Sequence, residues 1–158
     1  MTEGDFLLRL NDFFPYRLAN LQSAVSAAVG QRYREPFLLG HHEWRVMATL
    51  AECPGWSARE VAEHANLEKM QVSRAVARLS KRQLVEQAAD GGDRRRISLR
   101  LSETGYRHYK QIVPRVLAVE AELLEVLSEE ERQQFHHLMD RLLARSRALL
   151  EETLNPAR

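Results

Sequence analysis

Cysteine is almost missing from this sequence: Cys53 stands alone, so no disulfide can form within the chain. No apolar run approaches the roughly 18–20 residues that a membrane span needs, because the longest stretches are cut by Arg or Glu. The opening Met1-Thr2-Glu3-Gly4-Asp5 is acidic and lacks the basic-then-apolar layout of a secretory signal. These absences lead us to expect a cytoplasmic protein that does not engage a membrane. Also lacking are a glycine-rich phosphate loop, a nucleophile elbow and a metal triad. The expectation is a non-enzyme, with no catalytic residue, no cofactor and no metal. Two adjacent histidine pairs, His41-His42 and His136-His137, do not change this. Neighbours on a helix point about 100° apart and rarely share one ion, and no Cys/His spacing of a zinc site occurs.

What is present is an ordinary globular composition, 44% hydrophobic and 28% charged over 158 residues, about the size of one domain. The net charge of +1 hides a strong asymmetry. Residues 69–100 hold nine Lys or Arg against three acids, a net +6, while the rest of the chain carries a net −5. Basic charge gathered into one segment of an otherwise acidic chain fits a polyanion, since phosphate neutralisation supplies most non-specific DNA affinity.

Helical periodicity dominates. Pro15 suits a first helical turn, and Leu18, Leu21, Val25 and Val29 follow on one face. Residues 5–14 add Phe6, Leu7, Leu10, Phe13 and Phe14, more apolar surface than a loose tail needs. The pattern predicts a helix over 41–52 that buries Trp44, Met47, Ala48, Leu50 and Ala51 and stops at Pro54-Gly55. Ser57-Ala58-Arg59-Glu60 reads as a capping box opening a short helix to about Ala65. After a break at Asn66, a further helix is expected from about Glu68 to Arg82, with Val72, Val76 and Leu79 inward. The period then switches to two. Residues 84–87 and 97–101 alternate apolar and polar around the tip Asp90-Gly91-Gly92-Asp93, a hairpin signal. Beyond it a long helix, expected to kink at Pro114, runs to about Leu127, and Ser128-Glu129-Glu130-Glu131 caps a last one.

Two helices joined by a tight turn and followed by a basic-tipped hairpin make a winged helix-turn-helix. The fold expected is therefore mainly α with a small β-hairpin. Residues 37–101 would form the DNA-binding region, and 1–36 with 102–158 a helical dimerisation region. Lys69, Met70, Gln71, Ser73, Arg74 and Arg78 lie off the inward stripe and suit contacts in a major groove, with Gln71 able to pair with adenine. Ser57, at a helix N-terminus, can offer donors to a phosphate. Arg94, Arg95 and Arg96 suit a narrow minor groove, and Asp93 is placed to brace Arg95.

Several segments, in this order, resemble the MarR family of bacterial regulators. They are Glu43-Trp44-Arg45-Val46-Met47, Val72-Ser73-Arg74 with Leu79, Leu84-Val85, Asp93-Arg94-Arg95, and Leu99-Arg100-Leu101-Ser102-Glu103-Thr104-Gly105. The resemblance covers about Pro15 to Leu150. It implies a homodimer with intertwined terminal helices on a pseudo-palindromic stretch of double-stranded DNA. It also implies repression relieved by a small molecule, often an aromatic anion, with Tyr16, Arg17, His41, His42 and Arg45 on the segments that line the pocket in relatives. Two departures stand out. Cys53 does not match the sensing cysteine of the redox branch, so an inert thiol is expected. Gln83 stands where the family often has Gly, so the recognition helix is expected to end differently. The competing expectation is a helical interaction module without DNA binding, which would have no need of an arginine-rich wing.

Overall fold

A computed structural model describes residues 7–89 and 97–154. A short 3-10 turn at Leu10–Asp12 precedes α1 (Phe14–Gly30), whose first turn holds Pro15. The one-turn α2 (Arg34–Phe37) leads to α3 (His41–Glu52), α4 (Ala58–Ala65) and α5 (Lys69–Lys81). An antiparallel pair, β1 (Val85–Ala89) and β2 (Ile97–Leu101), is followed by α6 (Glu103–Leu124) and α7 (Glu129–Leu154). One compact unit runs to Val119 and a second starts at Glu120. The mainly helical winged helix-turn-helix expected from the sequence is what the chain forms. No described helix is long and apolar enough to cross a membrane.

The core of the first unit gathers Val46, Met47 and Leu50 of α3, Val61 of α4, and Val72, Ala75, Val76 and Leu79 of α5. Leu84, Val85 and Leu99 close it from the hairpin side. It also draws in Tyr33 and Ile112, from beyond the 37–101 stretch. Full burial of an aliphatic side chain such as Leu79 contributes about 1.5–3 kcal/mol. Trp44, expected inside, is half-buried, as are Ala48 and Ala51, while Val46 and Thr49 are buried.

Local rules fix the helix ends. The Ser57 N–H donates to the Glu60 carboxylate (2.8 Å) and the Glu60 N–H to Ser57 Oγ (3.4 Å), the reciprocal capping box the sequence predicts. Ser128 and Glu131 repeat it at the start of α7. The α4–α5 turn passes through Asn66 in the left-handed region (φ 50°), a conformation that Asn tolerates.

The end of α5 corrects one expectation. Gln83 takes the left-handed conformation (φ 56°) that glycine usually supplies, so the helix ends in the customary way. The Gln83 N–H donates to the Ser80 carbonyl (2.9 Å) and the Leu84 N–H to the Leu79 carbonyl (2.9 Å), the paired bonds of a Schellman motif. Buried Leu79 and Leu84 supply its apolar contact. Ser102 Oγ donates to the Gln83 carbonyl (2.6 Å), and the Ser102 N–H to the Leu84 carbonyl (3.0 Å). These bonds outweigh the roughly 1–2 kcal/mol left-handed penalty for an L-residue. They also explain the Ser102-Glu103-Thr104-Gly105 run. The Gly105 N–H donates to Ser102 Oγ (2.9 Å), and a Cβ at Gly105 would collide with the Leu84 carbonyl oxygen.

In the hairpin Val85 faces Leu101, Glu86 faces Arg100 and Ala89 faces Ile97. A third segment joins: the Gly55 N–H donates to the Leu99 carbonyl (2.8 Å), and the Leu99 N–H to the Trp56 carbonyl (2.8 Å). The α3–α4 turn is thereby stitched to the wing. Helix α6 continues through Pro114. Within the second unit, Arg132 Nε donates to the carbonyls of Leu124 (3.0 Å) and Leu127 (3.1 Å), and α7 buries none of its residues.

Candidate nucleic-acid interface

Helix α5 has two distinct faces. Val72, Ala75 and Leu79 are wholly buried, so the 3.6-residue period leaves Lys69, Met70, Ser73 and Arg74 on the outer side, all exposed. Among the described residues Lys69 and Arg74 form no ion pair. Met70 is 59% exposed, a large apolar side chain of the kind that can cover a thymine methyl. Gln71 is half-buried, and its Oε1 accepts the Glu68 N–H (3.0 Å), capping α5. Bidentate pairing with adenine would compete with that bond.

Two other predicted contacts, and two further arginines of the basic segment, sit in protein bonds. Ser57 lies at the N-terminus of α4, but its N–H and its hydroxyl both donate to Glu60 (2.8 and 2.7 Å). Arg78 pairs through Nε with Glu43 of α3 (2.5 Å). Arg100, counted in the basic segment, pairs across the hairpin with Glu86 (2.9 Å). Arg82, also counted there, donates to the carbonyls of Leu38 (2.7 Å) and Phe37 (2.6 Å). Sequence reasoning missed Glu43, the partner of Arg78, and the bonds of Arg82 to the Leu38 and Phe37 carbonyls. Glu43 shares the inner stripe of α3 with Val46, Met47 and Leu50 and is only 7% exposed. A carboxylate on an apolar face is the signal of a buried partner. Asp93, Arg94, Arg95 and Arg96 lie outside the described residues.

The residues read as lining a ligand site are brought together only in part. His41, His42 and Arg45 share the half-buried N-terminal part of α3, with the two imidazoles 5.8 Å apart. Tyr16 and Arg17 are exposed on α1, and no described hydrogen bond or ion pair links them to the α3 group. Burial, then Arg45, His42 and Arg34, hold His41 below the usual histidine range. Its Nδ1 lies 3.4 Å from the hydroxyl of Tyr33, a core residue that the sequence did not flag. Tyr33 stacks on Trp44 (5.5 Å), and Trp44 on Tyr109 of α6 (5.9 Å). Burial raises the Tyr33 hydroxyl above its ordinary range. Cys53 is half-buried, and desolvation followed by Glu52 pushes its thiol up, away from a reactive thiolate. Among the described residues no group of three or more His, Cys, Asp or Glu could hold a metal ion.

This geometry has relatives. A profile of the MarR family matches residues 39–96, from the start of α3 into the wing. The chain is 28% identical over 119 residues to the uncharacterized HTH-type transcriptional regulator YwoH of Bacillus subtilis, covering 75% of this chain and 86% of that protein. Its structure is similar to the PcaV transcriptional regulator from Streptomyces coelicolor, crystallised in complex with its natural ligand. There the TM-score is 0.77 and the identity 25%, over 87% of this chain and 96% of that one. A MarR/EmrR family transcriptional regulator from Acinetobacter sp. ADP1 shares the fold at a TM-score of 0.81 and 23% identity, over 89% of this chain and 99% of that one. Order of elements, inward stripe, hairpin and matching profile agree: residues 39–96 match the MarR family, and the fold around them is the one seen in transcription regulators of that family.

Proposed function

We propose that the chain acts as a homodimeric repressor on a pseudo-palindromic operator and is released by a small, aromatic acid ligand. The observation that carries this reading is the outer face of α5. Lys69, Met70, Ser73 and Arg74 stand exposed on a helix whose opposite side is fixed in the core, which suits base and phosphate contacts in a major groove. Gln71 belongs to the same surface through its Nε2 donors, which capping leaves over, whereas Ser57 would reach a phosphate only by giving up a bond to Glu60. Arg94, Arg95 and Arg96 would follow the adjacent minor groove, where arginine is attracted by the negative potential, with Asp93 bracing the hairpin through Arg95.

Dimerisation is supported by apolar side chains that each unit leaves exposed. Leu8, Leu10 and Phe14 are so in the first unit, and Leu143, Leu150 and Leu154 in the second. Residues 1–36 and 102–158 would supply the dimer interface, and 37–101 the DNA-binding part. In the dimer the two recognition helices would stand ~34 Å apart, one turn of DNA. Ligand release is supported by the relative crystallised with its natural ligand and by the cations available here. Arg17 or Arg45 would pair with a carboxylate, while Tyr16, His41 and His42 would contact its ring.

The test is a fluorescence-anisotropy titration with duplex DNA from the gene's own promoter region across a salt series. Tight binding that weakens steeply with salt is expected, and Arg94→Glu with Arg95→Glu should abolish it while leaving the dimer intact. Undiminished affinity in that variant would sink the winged-helix mechanism. Aromatic carboxylic acids should then displace the DNA, and their failure to do so would remove the ligand part alone.

A further inference from the structure

Two arginines one turn apart, Arg78 on α5 and Arg82 at its C-cap, do not point their bonds at solvent. Arg78 pairs with Glu43, and Arg82 donates to the Phe37 and Leu38 carbonyls. Both sets of acceptors belong to one place, the corner where α2 gives way to α3. Glu43 is itself held there: it is nearly buried and accepts the Gly40 N–H at the start of α3. A Cβ at Gly40 would lie 2.6 Å from Glu43 Oε2, so the carboxylate takes up space that glycine leaves open. Leu38 is left-handed (φ 52°) with a side chain 77% exposed, so no burial of its own offsets that conformation. The Arg82 guanidinium on its carbonyl offers a reason for it to persist.

We propose that Arg78 and Arg82 are positioning residues that clamp the recognition helix to the α2–α3 corner, and that the Arg78–Glu43 pair, not an Arg78–DNA contact, sets the attitude of α5. The inference rests on α5 being the helix that reads DNA. Arg74, one turn earlier, meets no acid among the described residues and stays available for the nucleic acid. The clamp also ties α5 to the first turn of α3, which carries His41 and His42. A displacement of that turn is thereby delivered to the reading helix through Glu43.

The experiment uses the full chain and two duplexes: a site recovered by selection from random DNA, and an unrelated duplex of equal length. Arg78→Ala, Glu43→Gln and the double variant are compared by anisotropy across a salt series. Glu43→Gln removes the charge but keeps an acceptor for the Gly40 N–H, since a capping box takes either residue. Thermal melts check that each variant folds; Arg78 is 62% exposed, so its truncation leaves no cavity. If the clamp is right, each single variant loses about tenfold on the selected site, the size of a typical coupling. The double variant loses no more than either single one. The slope of log affinity against log salt stays unchanged in Arg78→Ala, and affinity for the unrelated duplex does not fall. If Arg78 contacts a phosphate, the slope drops by about 0.9, and Glu43→Gln has no effect or adds to Arg78→Ala. That outcome overturns the clamp and leaves the DNA-reading role of α5 standing. A wild-type chain from which no site can be selected overturns both.

Discussion

Helices α5 and α7 are both amphipathic, yet they meet opposite fates. The 13 residues of α5 include four that are buried, whereas the 26 of α7 include none. The difference is not in the pattern, because Phe135, Leu138 and Leu142 recur on α7 at helical spacing as Val72, Val76 and Leu79 do on α5. It lies in whether the chain folds something over the stripe. Helix α5 is covered by α3, α4 and the hairpin. An uncovered apolar stripe of this length is the mark of an interface, and under the proposed function its cover is a second copy.

The largest effect should come from attacking that uncovered stripe. Leu142→Glu with Leu149→Glu places charges at positions that are half-exposed in the single chain, so an isolated subunit should tolerate them. In a dimer they would face an apolar partner. Sedimentation should then show a monomer, and operator affinity should fall by about 100-fold or more as two linked half-site contacts become one. A variant that remains dimeric would break the comparison, because α7 would no longer need covering.

A smaller effect tests the covered side. Gly105→Ala forces a Cβ into the Leu84 carbonyl, which is main chain and cannot swing aside. Thermal or urea unfolding should show a loss of about 1–3 kcal/mol, the usual cost of overpacking. Unchanged stability would mean that the α6 start and the wing are less tightly joined than their bonds imply.

The smallest effect is a dependence on pH. His108 of α6 meets the edge of the Phe37 ring (5.6 Å), and its Nδ1 is buried without a hydrogen-bond partner among the described residues. Burial, then Arg82 and Arg107, hold it below the usual histidine range, and His41 is shifted the same way. The unfolded chain therefore binds more protons than the folded one. Stability from these groups is complete above about pH 6.5 and is lost as pH falls through their depressed folded values. Melting temperature should decline over that window, and His108→Leu should flatten the decline. An equally steep decline in that variant would assign the effect to His41 or elsewhere.

Much of this was legible in the residues because the rules involved are local. Pro54-Gly55 stops a helix, Ser57 and Glu60 start the next, and a switch of period from 3.6 to 2 marks the wing. The outer face of α5 followed from the same periodicity. What escaped depends on contacts between distant positions. Arg78 and Glu43 are 35 positions apart, and Arg82 and Leu38 are 44 apart, so no spacing rule links them. Arg78 looked like a DNA contact, and Arg82 like one more charge of the basic segment, because charge on a basic segment carries no record of its partner. Gln83 misled for a similar reason. Judged alone it disfavours a left-handed helix end, but Ser102, nineteen positions on, holds its carbonyl in place. Propensity counts one residue, and the fold counts the residues that meet it.

The stitch between Gly55-Trp56 and Leu99 has a mechanical consequence. The α3–α4 turn, the base of the wing and, through the shared core, α5 form a single stiff piece, with Leu99 as the rivet. The spacing from α5, the proposed reading helix, to the wing base is then a fixed dimension of the protein, like the gap of a caliper. A duplex whose groove widths do not match that gap has to deform to fit, at a cost that depends on its stacking steps. Base pairs that no side chain reaches would still be selected, through the width they give the groove.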